Sequence, residues 1–236
     1  MKFTIKSEWK NTLSKIIFIA LGIILGFSLN KWNSNRIAKS IEIEILKELN
    51  ETLTSDIKDI ELKEMLFGTS NLGINNIIFA FDQDLPYNDS LIKSFSTLIV
   101  NPMFFRNDAP FEVLKSKGFE TITEETIRLE IINLYSVKYR ALDYMLTILP
   151  QLQNFDNLEG FLKKNFKKSR QENFGEFFSI SIEPIDYNKL KSNDEFRFLI
   201  ELVKYGNERK IWFLNDTKET ILGLQEKIQK EIVRLN

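Results

Sequence analysis

The sequence predicts an all-α protein: a single N-terminal transmembrane helix followed by a helical-bundle domain with long helices. Three observations predict it. Residues 16–30 carry no charge. Gly and Pro, the usual helix breakers and turn formers, number only 9 and 5 among 236 residues. Downstream, apolar residues recur at spacings of three and four over long stretches. The expected division is a cytoplasmic tail over 1–12, a membrane span over 13–32 and an extracytoplasmic helical domain over 33–236.

The anchor comes first. The run IIFIALGIILGFSLN from Ile16 to Asn30 would be roughly 22 Å long as a helix, short of a ~30 Å hydrocarbon core. Extending it from Leu13 to Trp32 supplies the missing length. Lys15 and Lys31 then lie near the ends, where long side chains reach the headgroups. Trp9 and Trp32 stand where interfacial aromatics stand. No A-x-A-like cleavage site follows, which argues against a removed signal peptide. Four Lys precede the run, at 2, 6, 10 and 15, so the positive-inside bias places the N-terminus in the cytoplasm and exports the domain. Gly22 and Gly26 form a G-x-x-x-G pair, a spacing that lets two helix backbones approach closely in lipid. The pair either marks a homodimer through the anchor and the helix that follows it, or reflects the general frequency of Gly in membrane helices.

Next, residues 37–66 read as a long helix, with Leu46, Leu49, Leu53, Ile57 and Ile60 as its stripe. The polar stretch NKWNSNR before it either joins two helices or continues one. Gly68 and Gly73 predict a break, with a short helix at 74–81 and a turn at Asp84–Asp89. Asp89 or Ser90 is the expected cap of a helix reaching 99. Asp108 and Pro110 open another, which ends at Gly118. Thr121 and Glu124 have capping-box spacing, with Thr123 as an alternative cap. A helix over 124–149 follows and ends at Pro150. Helix is expected again over 151–168. The segment around Phe177–Glu183 reads as one short strand without a partner. Asp194 is the expected cap of a final helix over 195–235, with a kink near Gly206.

The anchor resembles a bacterial family of single-pass membrane proteins known only as a domain of unknown function. The residues that carry the likeness are Gly22-Ile23-Ile24, then the Asn-x-Trp-Asn motif Asn30-Lys31-Trp32-Asn33, and Arg36. A looser second patch comprises Asn107, Leu114, Ser116, Gly118, Ile122, Arg128, Ile131 and Tyr135. The resemblance implies a membrane anchor and a helical exported domain. It implies no activity.

Composition limits the chemistry. The chain has no Cys and no His. Disulfides, thiolate nucleophiles, Cys/His zinc sites and imidazole acid–base catalysis are therefore excluded. Net charge is −1, and without the basic N-terminal stretch the remainder is mildly acidic, unlike a nucleic-acid binder. No catalytic, cofactor-binding or metal-ligating set is assigned. Asp82, Asp84, Asn88 and Asp89 crowd one loop, but the spacing fails the EF-hand pattern. Glu61/Glu64 and Glu124/Glu125 read as surface pairs or caps, and Ser116-Lys117 as part of a turn. Trp32, Asn33 and Arg36 form, with Asn30, a membrane-boundary motif. Lys163, Lys164, Lys167, Lys168 and Arg170 form a basic run that either faces water or touches an anionic membrane face.

The expected function is that of a non-enzymatic, membrane-anchored interaction or scaffold protein of the bacterial envelope, in the inner membrane. Its partners would be the bilayer, a second copy or an envelope protein, with no cofactor. The alternative is a ligand-binding or sensory domain that signals through a partner, since the short tail holds no output domain.

Overall fold

The computed structural model describes residues 5–148, 155–169 and 181–236. The described chain is almost entirely helical. Helix α1 (Ile5–Asp82) is a single helix of 78 residues, about 120 Å long at 1.5 Å per residue. Its first part stands alone, and the apolar stretch from Leu13 is unburied. Its second part is the spine of the domain.

The expected break at Gly68 and Gly73 does not occur. A helical Gly costs only about 1 kcal/mol, whereas full burial of a large apolar side chain returns about 1.5–3 kcal/mol. Phe67, Ile74 and Ile77 are all fully buried, so packing decides. Gly73 also has a positive use. A Cβ there would lie 2.2 Å from Thr97 Oγ1 and 3.0 Å from the Ser94 carbonyl oxygen. The missing side chain lets the next helix close onto α1.

That helix, α2 (Asp89–Ser96), is capped by Asn88, whose side chain accepts from Ser90 N–H at 3.0 Å. The cap thus sits one residue before the expected Asp89. Helix α3 (Ala109–Lys117) ends at Gly118, where φ is +97°. Helix α4 (Glu125–Asn133) leads into a π-helical turn (Leu134–Lys138), α5 (Tyr139–Asp143) and a second π-helical turn (Tyr144–Ile148). The expected helix over 124–149 is thus present but twice widened. The Pro150 stop lies outside the described residues.

Helix α6 (Phe155–Asn165) stops earlier than expected and passes into strand β1 (Phe166–Lys168). Strand β2 (Ile182–Pro184) pairs with it antiparallel, Lys167 opposite Glu183. The strand expected near 177–183 therefore has a partner, although 177–180 lie outside the described residues. After the short α7 (Tyr187–Lys191) comes α8 (Asp194–Leu235), 42 residues without a break at Gly206. Its cap is Asn193, which accepts from Phe196 N–H at 2.8 Å.

Helices α1 and α8 run antiparallel. Asp82 meets Arg197, Ser70 meets Asn207, Glu64 meets Lys218 and Asn50 meets Gln225. Two apolar clusters lie along this pair. The one nearer the apolar N-terminal segment gathers Leu46, Leu49 and Leu53 with Ile131, Leu134, Ile221 and Leu224. The distal one gathers Ile74 and Ile77 with Phe95, Phe161, Phe166 and Phe196. The ring contacts there are edge-to-face, tilted or stacked, with centroids 5.4–6.4 Å apart.

Candidate functional site

The motif expected at a membrane boundary lies on unbroken helix. Trp32 is 62% exposed, and the Arg36 guanidinium carbon sits 5.9 Å from the centre of its ring. Asn30 and Asn33 are exposed on the same helix. Gly22 and Gly26 face open space, with nothing within 4 Å of a Cβ built on either.

Just beyond this motif a cleft of about 630 Å³ opens at the foot of the domain. One wall is α1, through Asn35, Ala38, Lys39, Ile41 and Glu42. The others are the α3–α4 connection, through Lys117, Glu120, Thr121 and Thr123, and the end of α8, through Arg234 and Leu235. Glu42 organises it. Its carboxylate is buried and accepts from the Thr123 backbone N–H at 2.7 Å and hydroxyl at 2.9 Å. This draws the start of α4 onto α1. It also explains why no capping box forms at Thr121 and Glu124: α4 starts without a side-chain cap, and the Thr123 hydroxyl bonds to Glu42. Arg234 is held by a forked pair to Glu231, at 2.5 and 2.7 Å. Lys39 and Lys117 make no ion pair among the described residues.

A second polar group is sealed in the core. Asp56 accepts from the Tyr139 hydroxyl and from the backbone N–H of Asn107. Burial pushes the Asp56 carboxyl up to about 6, against the opposing effect of the Tyr139 bond. Burial likewise raises the Tyr139 phenol far above its usual range. The Arg106 guanidinium lies 5.4 Å from the Tyr139 ring centre and pairs with Asp108 at 2.6 Å and with Asp143. Tyr135, in the π turn, stacks on Phe111 at 4.3 Å, and its buried hydroxyl has no hydrogen-bond partner among the described residues. A carboxylic acid, a phenol and a guanidinium can share protons and charge. Asp56 and Tyr139 are buried, while Arg106, Asp108 and Asp143 keep partial exposure, so a substrate would reach the Asp56–Tyr139 bond only if the core opened. The arrangement ties α1 to α5 and the segment before α3.

This group was missed from sequence, although a signal exists. The buried stripe of α1 runs Leu49, Leu53, Asp56, Ile60, Lys63, Phe67, Ser70, Ile74. Asp56 stands in apolar register, and a charged residue there marks a buried partner elsewhere. Lys210 does the same on α8. It lies 4.8 Å from the Phe67 ring centre, and burial lowers its amine to about 8.

The oxygen-rich loop is resolved into structural contacts. Asp82 pairs with Arg197, Asp84 with Lys191, and Asn88 caps α2. Glu64 pairs with Lys218 at 2.6 Å, and the Ser116 hydroxyl bonds to the Val113 carbonyl at 2.8 Å. The basic run is split. Lys163 and Lys164 end α6, Lys167 and Lys168 lie on β1, and Arg170 is outside the described residues. Lys163 pairs with Glu159 and Lys167 with Glu183.

The outer surface of the α1–α8 pair carries large apolar side chains at seven-residue intervals. On α1 these are Met65, Leu72 and Phe79; on α8 they are Phe198, Tyr205 and Trp212. All are more than half exposed. A seven-residue step returns to nearly the same face of a helix. Given the Asp82–Arg197, Asn71–Asn207 and Glu64–Lys218 contacts, Phe79 lies near the level of Phe198, Leu72 near Tyr205 and Met65 near Trp212.

Comparison with protein-family models, with curated proteins and with solved structures finds no match to this chain.

Proposed function

We propose that this chain is a membrane-anchored helical interaction protein of the bacterial cell envelope, acting by binding and not by catalysis. One observation carries the reading: α1 is bare and apolar where it leaves the domain, and is packed where it enters it, with no break between. A single rigid element thus joins a lipid-soluble segment to the domain. The basic bias of the N-terminal stretch puts that end in the cytoplasm and the domain outside, at the inner membrane. The resemblance at Asn30–Asn33 and Arg36 points the same way.

The six exposed apolar residues of α1 and α8 supply a contact face. Exposed apolar side chains repeated along a helix in this way suit an interaction site. A second copy is the favoured occupant. At 100° per residue Gly22 falls within about 20° of Met65 around α1, so the close-packing anchor face and the exposed stripe point the same way on one helix. A parallel pair would use both.

The Cys-free chain suits a direct test. Single substitutions Gly22→Cys and Leu72→Cys are expected to crosslink in native membranes, and adding Trp212→Ser to Leu72→Cys should lower the yield. Absence of crosslinking at both Gly22 and Leu72, with no other protein recovered alongside the tagged chain, would reject the interaction reading. The cleft keeps a second reading in play, a ligand-binding domain.

A further inference from the structure

We propose that the cleft at the foot of the domain holds a phospholipid headgroup, its phosphate against Lys39 and Lys117. The proposal rests on the membrane-anchored reading above.

Position is the first argument. Helix α1 continues without a break from Trp32 through the cleft wall. At 1.5 Å per residue, Asn35 lies about 5 Å and Lys39 about 10 Å beyond Trp32 along the axis. A bilayer of about 40–45 Å overall around a core of about 30 Å leaves roughly 5–8 Å of headgroup on each side. With Trp32 at the interface, the mouth of the cleft is level with the phosphates.

Charge is the second. The lining holds three cations, Lys39, Lys117 and Arg234, and two carboxylates, Glu42 and Glu120. Glu42 is turned to Thr123 and Arg234 to Glu231. The two lysines remain without an ion-pair partner among the described residues, on two different walls. An ammonium group on each side suits a phosphodiester. Glu120, exposed at the rim, is placed for a headgroup amine or hydroxyl.

Size and polarity are the third. A site for a lone phosphate needs only a few donors around one ion. A volume of about 630 Å³ is that of a site for a whole small molecule. Ala38, Ile41 and Leu235 give it an apolar wall for the glycerol and the first acyl carbons. The other basic cluster is poorly placed. Strand β2 beside it touches Ser96, and α2 packs at Gly73, some 60 Å along α1 from Trp32.

The test uses full-length protein extracted from membranes and reconstituted in nanodiscs of phosphatidylethanolamine and phosphatidylglycerol. Retained phospholipid is then counted by mass spectrometry after transfer to detergent. Wild type is expected to keep phospholipid. Lys39→Gln with Lys117→Gln should lower retention about tenfold, while Lys163→Gln with Lys168→Gln leaves it unchanged. Both lysines of the cleft pair are exposed, so the variant should fold, and circular dichroism verifies this. Equal retention by the folded cleft variant would overturn the proposal. So would release of the lipid by inorganic phosphate, which would make the site one for a free anion. Protein found in membranes but without bound phospholipid defeats the cleft alone. Protein found only in the soluble fraction defeats the anchor as well.

Discussion

At the scale of residues, the polar groups inside the apolar stripes have the clearest consequences. Asp56 titrates near 6 in the fold and near 3.8 when exposed. Between those values the folded chain holds a proton that the unfolded chain has lost, so this group's contribution to stability falls as pH rises through that window. Above it the cost of a buried carboxylate is fully present. Asp56→Asn is uncharged and still offers an oxygen to Tyr139. It is expected to gain about 1–2 kcal/mol over wild type at pH 7.5, discounted from the full two-unit shift for residual solvent screening, and to lose that advantage by pH 4. Urea unfolding at the two values measures it, and an advantage that persists at pH 4 would refute the titration. Lys210 is the mirror case. Its amine is lowered to about 8, so its penalty is fully present at neutral pH and fades as pH rises from about 8 to 10.5, where the folded amine has lost its proton and the unfolded one still holds it. Neither residue was singled out from sequence, because a stripe shows that a position is buried but not which distant side chain meets it. Tyr139 meets Asp56 across 83 residues.

At the scale of elements, the glycines of α1 separate two roles that look the same in sequence. Both Gly68 and Gly73 predict a break, and neither makes one. Gly68 has nothing within 4 Å of an added Cβ, while Gly73 abuts Thr97 and Ser94. Gly68→Ala is therefore expected to stabilise by about 0.5–1 kcal/mol through helix propensity. Gly73→Ala should destabilise by about 1–3 kcal/mol, because α2 must shift away. Thermal unfolding of the pair distinguishes them, and equal effects would contradict the close approach at Gly73. The capping errors have a similar origin. Asn88 and Asn193 each stand directly before an Asp that is also a good cap, and composition cannot choose between neighbours. The strand pair was illegible for another reason. Phe166–Lys168 is short, follows a helix without a turn signal, and pairs with residues 16 positions away, so local pattern extended the helix through it.

At the scale of the whole molecule, the apolar N-terminal segment and the spine of the domain are one continuous helix, α1. Its orientation can be read with cysteines, since the chain has none. Asn236→Cys is expected to react with an impermeant maleimide in intact spheroplasts, and Lys6→Cys only after lysis; the reverse pattern would invert the proposed topology. The helical class, the apolar N-terminal segment, the long stripes on α1 and α8, and the stop at Gly118 were all legible in the order of the amino acids. These follow from local rules of charge, periodicity and backbone freedom, which act within a few residues. Packing between distant segments settled the rest: α1 runs unbroken through two glycines, Glu42 draws Thr123 onto it to shape the cleft, Asp56 meets Tyr139, and the exposed stripes of α1 and α8 come to matching levels. Each of these depends on which distant segments meet, and burial against them outweighs the local preferences that the sequence displays.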